Sequence, residues 1–418
     1  MKKYGRDNRP YVKPVKRIEL SEMNTKLRWI LIVVLLSIAV VSIMIGLTSM
    51  LNTEPGWQAV EVSSDQASCG GDFVFQYDFT DYGSGATAQF KALTTVYSDA
   101  AVNGYRVFSA EVLEDGLLNV AYLNAHVNED VAVDPALYSA LELVAKYGDR
   151  HVFTAPAIVE YNRMFLCETE AEAALYNPMQ NPETVGWLAE LGTYMGDPEH
   201  IKLEILGNNR VRLQVSEEYL AFAEENDIET FLDFGWMKNA FLADYLAKVL
   251  TEAGFTSGNL TSYDGFTRNL DERGVEYGFN IFDRKGSSIN MPVVMHYSAP
   301  MSIVFLRDYP MDELDRWHYF AFESGDVVTA FLDAKDGLSK SAIHNLVSYS
   351  ESVGCAEILL QTVQVFVADE FRAEILDELK EQEIFSVWFE DKTLRYNDAG
   401  LKLEASSAIG SEQYTQIP

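Results

Sequence analysis

Residues 233–254 read DFGWMKNAFLADYLAKVLTEAG. From Asn239 to Ala253 the stretch is strongly helical, and Gly254 suits the left-handed residue that closes a helix. Upstream, Lys202 to Val215 reads KLEILGNNRVRLQV. Two alternating runs flank Gly-Asn-Asn, which signals a β-hairpin. Downstream, Gly278–Asp283 and Val293–Tyr297 are strand candidates. Val327–Asp333 reads as a further strand, closed by a turn at Ala334–Gly337. A helix therefore lies between strands on both sides, without a regular strand–helix–strand repeat. The pattern predicts one α+β domain of mixed α/β character over residues 57–400.

Further out the alternation continues. Gly70–Thr80 contains DFVFQYDF, a strand pattern, and Asp81–Gly85 is a turn-rich loop before a helix at Ala86–Ala101. A second helix is predicted over Asp134–Tyr147, with Asp134 as its cap and Pro135 in its first turn. Ala356–Val367 is apolar without a strong breaker, and Glu370–Gln382 reads as a charged helix. The polar segment 401–418 is expected to be a flexible tail.

The N-terminus has a different physical character. Residues 29–51 carry no charge, and Ile30–Leu47 is almost wholly aliphatic. As a helix they cover about 35 Å, enough to cross the roughly 30 Å hydrocarbon core of a bilayer. Residues 1–28 hold nine Lys or Arg against three acids. Basic flanks stay in the cytoplasm, so this predicts a single-pass anchor in the cell membrane, with the C-terminal domain extracytoplasmic. The apolar run is longer than a signal-peptide core, and no small-residue cleavage site follows closely.

The chain's net charge is −31, although its first 28 residues are basic. The acidity of the rest repels nucleic acid, which is excluded as a partner. Three widely spaced cysteines, Cys69, Cys167 and Cys355, argue against a disulfide framework. No phosphate loop, H-E-x-x-H or G-x-S-x-G elbow is present, and the six histidines form no ligand-spaced pair.

Three stretches, in order, resemble the ApbE family of FAD:protein FMN transferases. Asn124–Val144 (NAHVNEDVAVDPALYSALELV) is similar to the family's Asn, acidic-Val, Pro-x-Leu and helix pattern. Asp233–Asp244 resembles D-x-G-G-x-A-K-G-Y-A-V-D, retaining Asp233, Gly235 and Asp244. Ala330–Gly337 (AFLDAKDG) looks like H-I-I-D-P-x-T-G, retaining Asp333 and Gly337. The resemblance implies an ApbE-like fold, FAD as the flavin donor, and Mg²⁺ to neutralise charge building on the pyrophosphate. Carried over residue by residue, Asp233, Asn239, Leu332 and Asp333 would contact the flavin. Glu357, with Thr362 near the position of the family's Thr, would bind the metal.

The departures fall on the chemistry. The family's His is Ala330, its Lys is Asn239, and its metal-binding Asp and Thr are Glu357 and Gln361. The family's G-G-D after the helix has no clear match near Asn259–Asp264. A fourth motif points the other way. Asp81–Thr87 (DYGSGAT) resembles D-x-x-[ST]-G-A-T, the acceptor sequence these transferases modify, which makes Thr87 a candidate flavinylation residue. Three readings are therefore open. The chain is a flavin transferase acting on Thr or Ser of a protein substrate. It is a non-catalytic flavin-binding or scaffold subunit of a membrane redox complex. Or it carries FMN on Thr87.

Overall fold

The computed structural model describes residues 55–62, 72–286, 288–311, 315, 317–390, 393–406 and 415–417. The predicted basic tail, the predicted membrane helix 29–51 and Cys69 lie outside the described residues. Among those that are described, no helix is long and apolar enough to cross a membrane.

A nine-stranded sheet organises the domain, and its strands lie side by side in sequence order. They are Trp57–Val60, Phe73–Asp78, Gly258–Ser262, Phe266–Asn269, Met301–Arg307, Asn345–Ser350, Phe385–Glu390, Thr393–Tyr396 and Thr415–Ile417. Every neighbouring pair is antiparallel except the last. The central strand Met301–Arg307 is buried throughout. Its Val304 and Leu306 enter one core, while Ile303 and Phe305 enter another, as a period of two requires of a strand covered on both faces. On the first face lie the helices Lys238–Glu252 and Cys355–Phe366, with Ala86–Val107 packed on the former. On the second lies a three-stranded sheet of Tyr277–Lys285, Ser288–Tyr297 and Lys402–Ala405.

The helix Cys355–Phe366 is held by burial. Every residue in it except Glu357 and Gln364 is buried. Each large apolar side chain contributes about 1.5–3 kcal/mol, more than a cap does. Its cap is nonetheless specific and comes from another helix. The Asp244 carboxylate accepts the N–H of Cys355 at 2.9 Å and of Ala356 at 2.8 Å. A Cβ on Gly354 would stand 2.3 Å from that carboxylate, so the residue before the helix must be glycine.

Several elements follow the expected bounds closely. The hairpin is Ile201–Gly207 and Arg210–Val215, with Asn208 and Asn209 at positive φ. Asp134 accepts the Ala136 N–H at the head of Pro135–Tyr147. The predicted helix at Ala86 runs on to Val107.

Three expectations are corrected. The strand expected over Val327–Asp333 stops at Thr329, whose N–H and hydroxyl turn to Ser339 Oγ. The charged helix spans only Ala373–Leu379, followed by one 3-10 turn. Within the segment read as a flexible tail, Lys402–Ala405 and Thr415–Ile417 each pair with an ordered strand.

Candidate functional site

The helix Lys238–Glu252 begins without a side-chain cap, directly after a 3-10 turn at Gly235–Met237. Its first turn presents Lys238 and Asn239 to a polar cleft of about 310 Å³, lined also by Asp72, Gly235, Tyr263, Asp264, Asp315, Trp317 and His318. That volume lies at the small end of ligand cavities.

Each wall has a local cause. Asp72 precedes the strand Phe73–Asp78. Asp264 sits in the turn between Gly258–Ser262 and Phe266–Asn269. Gly265 follows it at φ 110°, where a Cβ would lie 2.4 Å from the Phe305 carbonyl oxygen. Arg307 is fully buried beneath, and its Nη2 donates to Asp315 Oδ1 at 2.7 Å and to the Tyr263 carbonyl at 3.0 Å. This pair fixes the segment that carries Trp317, 52% exposed, and His318.

The cleft is rich in acceptors. Asn239 Nδ2 donates to Asp264 Oδ2 at 2.8 Å, whereas Asn239 Oδ1 and Asp264 Oδ1 are sealed from solvent with no partner. Burial pushes the Asp264 carboxyl up to about 6, against the bonds from Ser262 and Asn239 and the charge of Arg307. Burial also raises Asp72, opposed by Lys238 and Asn239. It lowers His318 to about 4, so this imidazole is neutral at physiological pH. Behind the cleft the space is closed by aromatic packing. Trp236, where the resemblance has glycine, meets Phe331 edge to face at 4.5 Å.

The residues singled out from sequence divide among separate places. Asn239 lines the cleft. Asp233 lies just before it, its carboxyl raised by burial and opposed by N–H bonds from Gly235 and Phe234. Leu332 is a fully buried core residue. Asp333 starts the turn that Gly337 closes and pairs with Lys340 at 3.0 Å; against burial, which would raise it, the Lys335 N–H and then Lys340 hold its carboxyl below the usual range. Glu357 accepts from Lys146 Nζ at 2.8 Å and from the Tyr147 hydroxyl. Burial works to raise this carboxyl, but those two bonds outweigh it. The Thr362 hydroxyl is fully buried and donates to the Ile358 carbonyl at 2.9 Å.

Thr87 is the second residue of Ala86–Val107, partly buried, after a 3-10 turn over Thr80–Gly85 that replaces the expected loop and exposes Asp81, Gly83 and Ser84 but not Tyr82. That turn follows the far end of the strand from Asp72, roughly 20 Å of strand away. Sequence reading missed Asp72, Asp264 and His318. Asp264-Gly265, between two short alternating runs, is a hairpin signal that would have found the second of these.

Magnesium was expected at Glu357 and Thr362, and these residues do not fit it. A hard cation needs free oxygen ligands, but the Thr362 hydroxyl is spent inside its helix and an ammonium already neutralises Glu357. Among the described residues, no group of three or more His, Cys, Asp or Glu is placed to hold a metal ion.

No family model matches the chain, and no curated protein does. Solved structures do. The ApbE protein of Thermotoga maritima matches at a TM-score of 0.50 and 13% identity, over 84% of this chain and 97% of that one. The flavin transferase ApbE of Vibrio cholerae matches at 0.50 and 14%, over 84% and 98%. The chain has the ApbE-like fold that the three stretches implied.

Proposed function

We propose that the chain is a membrane-anchored, extracytoplasmic relative of the ApbE flavin transferases that binds flavin without transferring it. The observation that carries this reading is the state of Glu357. Lys146 supplies a positive charge where the resemblance calls for a divalent cation, and the Thr362 hydroxyl is unavailable. The replacement of the family's His by Ala330 and of its Lys by Asn239 agrees. The polar cleft at Asn239 and Asp264 supports retained ligand binding. Such a protein would present or store flavin within a membrane redox complex.

The test uses the full-length chain in detergent with FAD, Mg²⁺ and a peptide bearing the acceptor motif. Flavin fluorescence should change on binding while no AMP forms. AMP release with a flavinylated peptide would restore the transferase reading. Unchanged fluorescence would leave a scaffold.

The exposure of Asp81, Gly83 and Ser84 in the turn before Thr87 favours a second reading, in which Thr87 accepts FMN from a separate transferase. Intact mass after co-expression with an active transferase decides it, and an unmodified chain rejects it.

A further inference from the structure

The strand Met301–Arg307 serves a different place at each end. Arg307 stands beneath the cleft at Asn239. Met301, about 20 Å away along the strand, borders a cavity of about 500 Å³ that takes its lining from both the large sheet and the three-stranded one. The volume is ordinary for a small-molecule site. The inner lining is apolar. Met295, Met301 and Tyr349 are buried, and the Phe385 ring lies 5.9 Å from that of Tyr349. Two methionines let such a lining adapt to the shape of an occupant. Tyr297 lines the cavity as well, and among the described residues its hydroxyl makes no hydrogen bond.

The rim is acidic. Asp398 is spent on the Tyr349 hydroxyl and the Gly400 N–H, and Glu276 faces His296 at 3.7 Å. Glu351 and Glu383 are exposed and, among the described residues, pair with no cation. Lys402 is the only Lys or Arg among the lining residues. Outside residues 1–28, the cations beyond the described residues are Arg316 and Lys392. Each comes after the far end of a strand that leads away from the cavity, Met301–Arg307 or Phe385–Glu390, roughly 15–20 Å along. An ammonium at this rim is therefore attracted and a carboxylate repelled. The apolar lining removes an apolar body from water.

We infer that this cavity is a ligand site separate from the cleft, and that it takes a small organic cation, an amine carried on an apolar body. Equilibrium dialysis of the full-length chain in nonionic detergent, blanked against detergent alone, compares tryptamine with two molecules of like shape, the neutral tryptophol and the anionic indolepropionate. Tryptamine should bind about fivefold more tightly than tryptophol, the reach of two exposed carboxylates, and indolepropionate more weakly than either. Added NaCl should erase the advantage of tryptamine. The double variant Glu351→Gln with Glu383→Gln, both at exposed positions, should bring tryptamine within about twofold of tryptophol. An unchanged advantage in that variant would move the site elsewhere and overturn the inference. Equal binding of all three molecules would overturn the charge selection, and binding by none would reject the site. None of these outcomes bears on the flavin reading, whose cleft lies at the other end of the strand.

Discussion

One helix, Lys238–Glu252, serves two regions that differ in whether their carboxylate and amide oxygens are engaged. At its first turn, Asn239 faces a cleft where buried oxygens lack partners. Five residues on, about 7 Å along the axis, Asp244 caps Cys355–Phe366. There both Asp244 oxygens and Glu357 Oε1 are engaged. Asp244 takes two N–H groups and faces Arg268 at 3.3 Å, while Glu357 takes Lys146 and Tyr147. A buried polar atom without a partner costs about 1–3 kcal/mol. In the capped region the buried atoms without partners are nitrogens, Arg268 Nε and Gln361 Nε2, and it is also where the family resemblance would place metal chemistry.

The comparison can be broken by opening either side. The largest effect is expected from Trp236→Ala, which empties the aromatic packing behind the cleft. It should cost about 3–5 kcal/mol by urea unfolding, as for other buried aromatic truncations. A loss under 1 kcal/mol would mean that Trp236 does not close the space. Next, Asp244→Ala strips two N–H groups of their acceptor and leaves Arg268 without its carboxylate. About 2–3 kcal/mol should be lost, and hydrogen exchange at Cys355 and Ala356 should accelerate.

Asp264→Asn should move stability the other way. The folded-state pKa of about 6 lies above the ordinary carboxyl value, so the native state binds this proton more readily than the unfolded chain. Ionised Asp264 therefore costs stability above pH 6, and that cost disappears as pH falls toward 4. The variant should gain about 1–2 kcal/mol at pH 7.5, allowing for solvent at the cleft mouth. At pH 4 the gain should be absent. An equal gain at both pH values would place its origin elsewhere.

The smallest effect is expected from Lys146→Met. Its side chain is 58% exposed, and exposed pairs contribute about 0–1 kcal/mol. Its use is to sharpen the contrast. If Mg²⁺ raises the Tm of this variant and not of the parent chain, the lysine is what keeps the capped region free of metal.

What could be read from the sequence was local. Gly254 ends its helix at φ 85°, Asp134 caps its own, and the two asparagines turn the hairpin, because each needs only its immediate neighbours. The order of three weak motifs sufficed for the fold. The site was less legible because its contacts are long-range. Asp72 and Asp264 meet at one cleft from nearly two hundred residues apart, and Lys146 reaches Glu357 across 211. Motif matching placed Leu332 and Thr362 at a ligand. Burial shows that one packs the core and that the other bonds its own helix. The short strand at Val327–Thr329 was overestimated for a related reason. Apolar residues continue past it, but Thr329 bonds to Ser339 rather than to the next rung of a ladder.

The contrast between the two regions is tested most directly by electron paramagnetic resonance of Mn²⁺ titrated into the full-length chain with saturating flavin. With Glu357 neutralised by Lys146, the free-ion signal should be the same for the parent chain and Glu357→Gln. Stoichiometric loss of that signal in the parent, abolished by Glu357→Gln, would show a metal site where the structure places an ammonium.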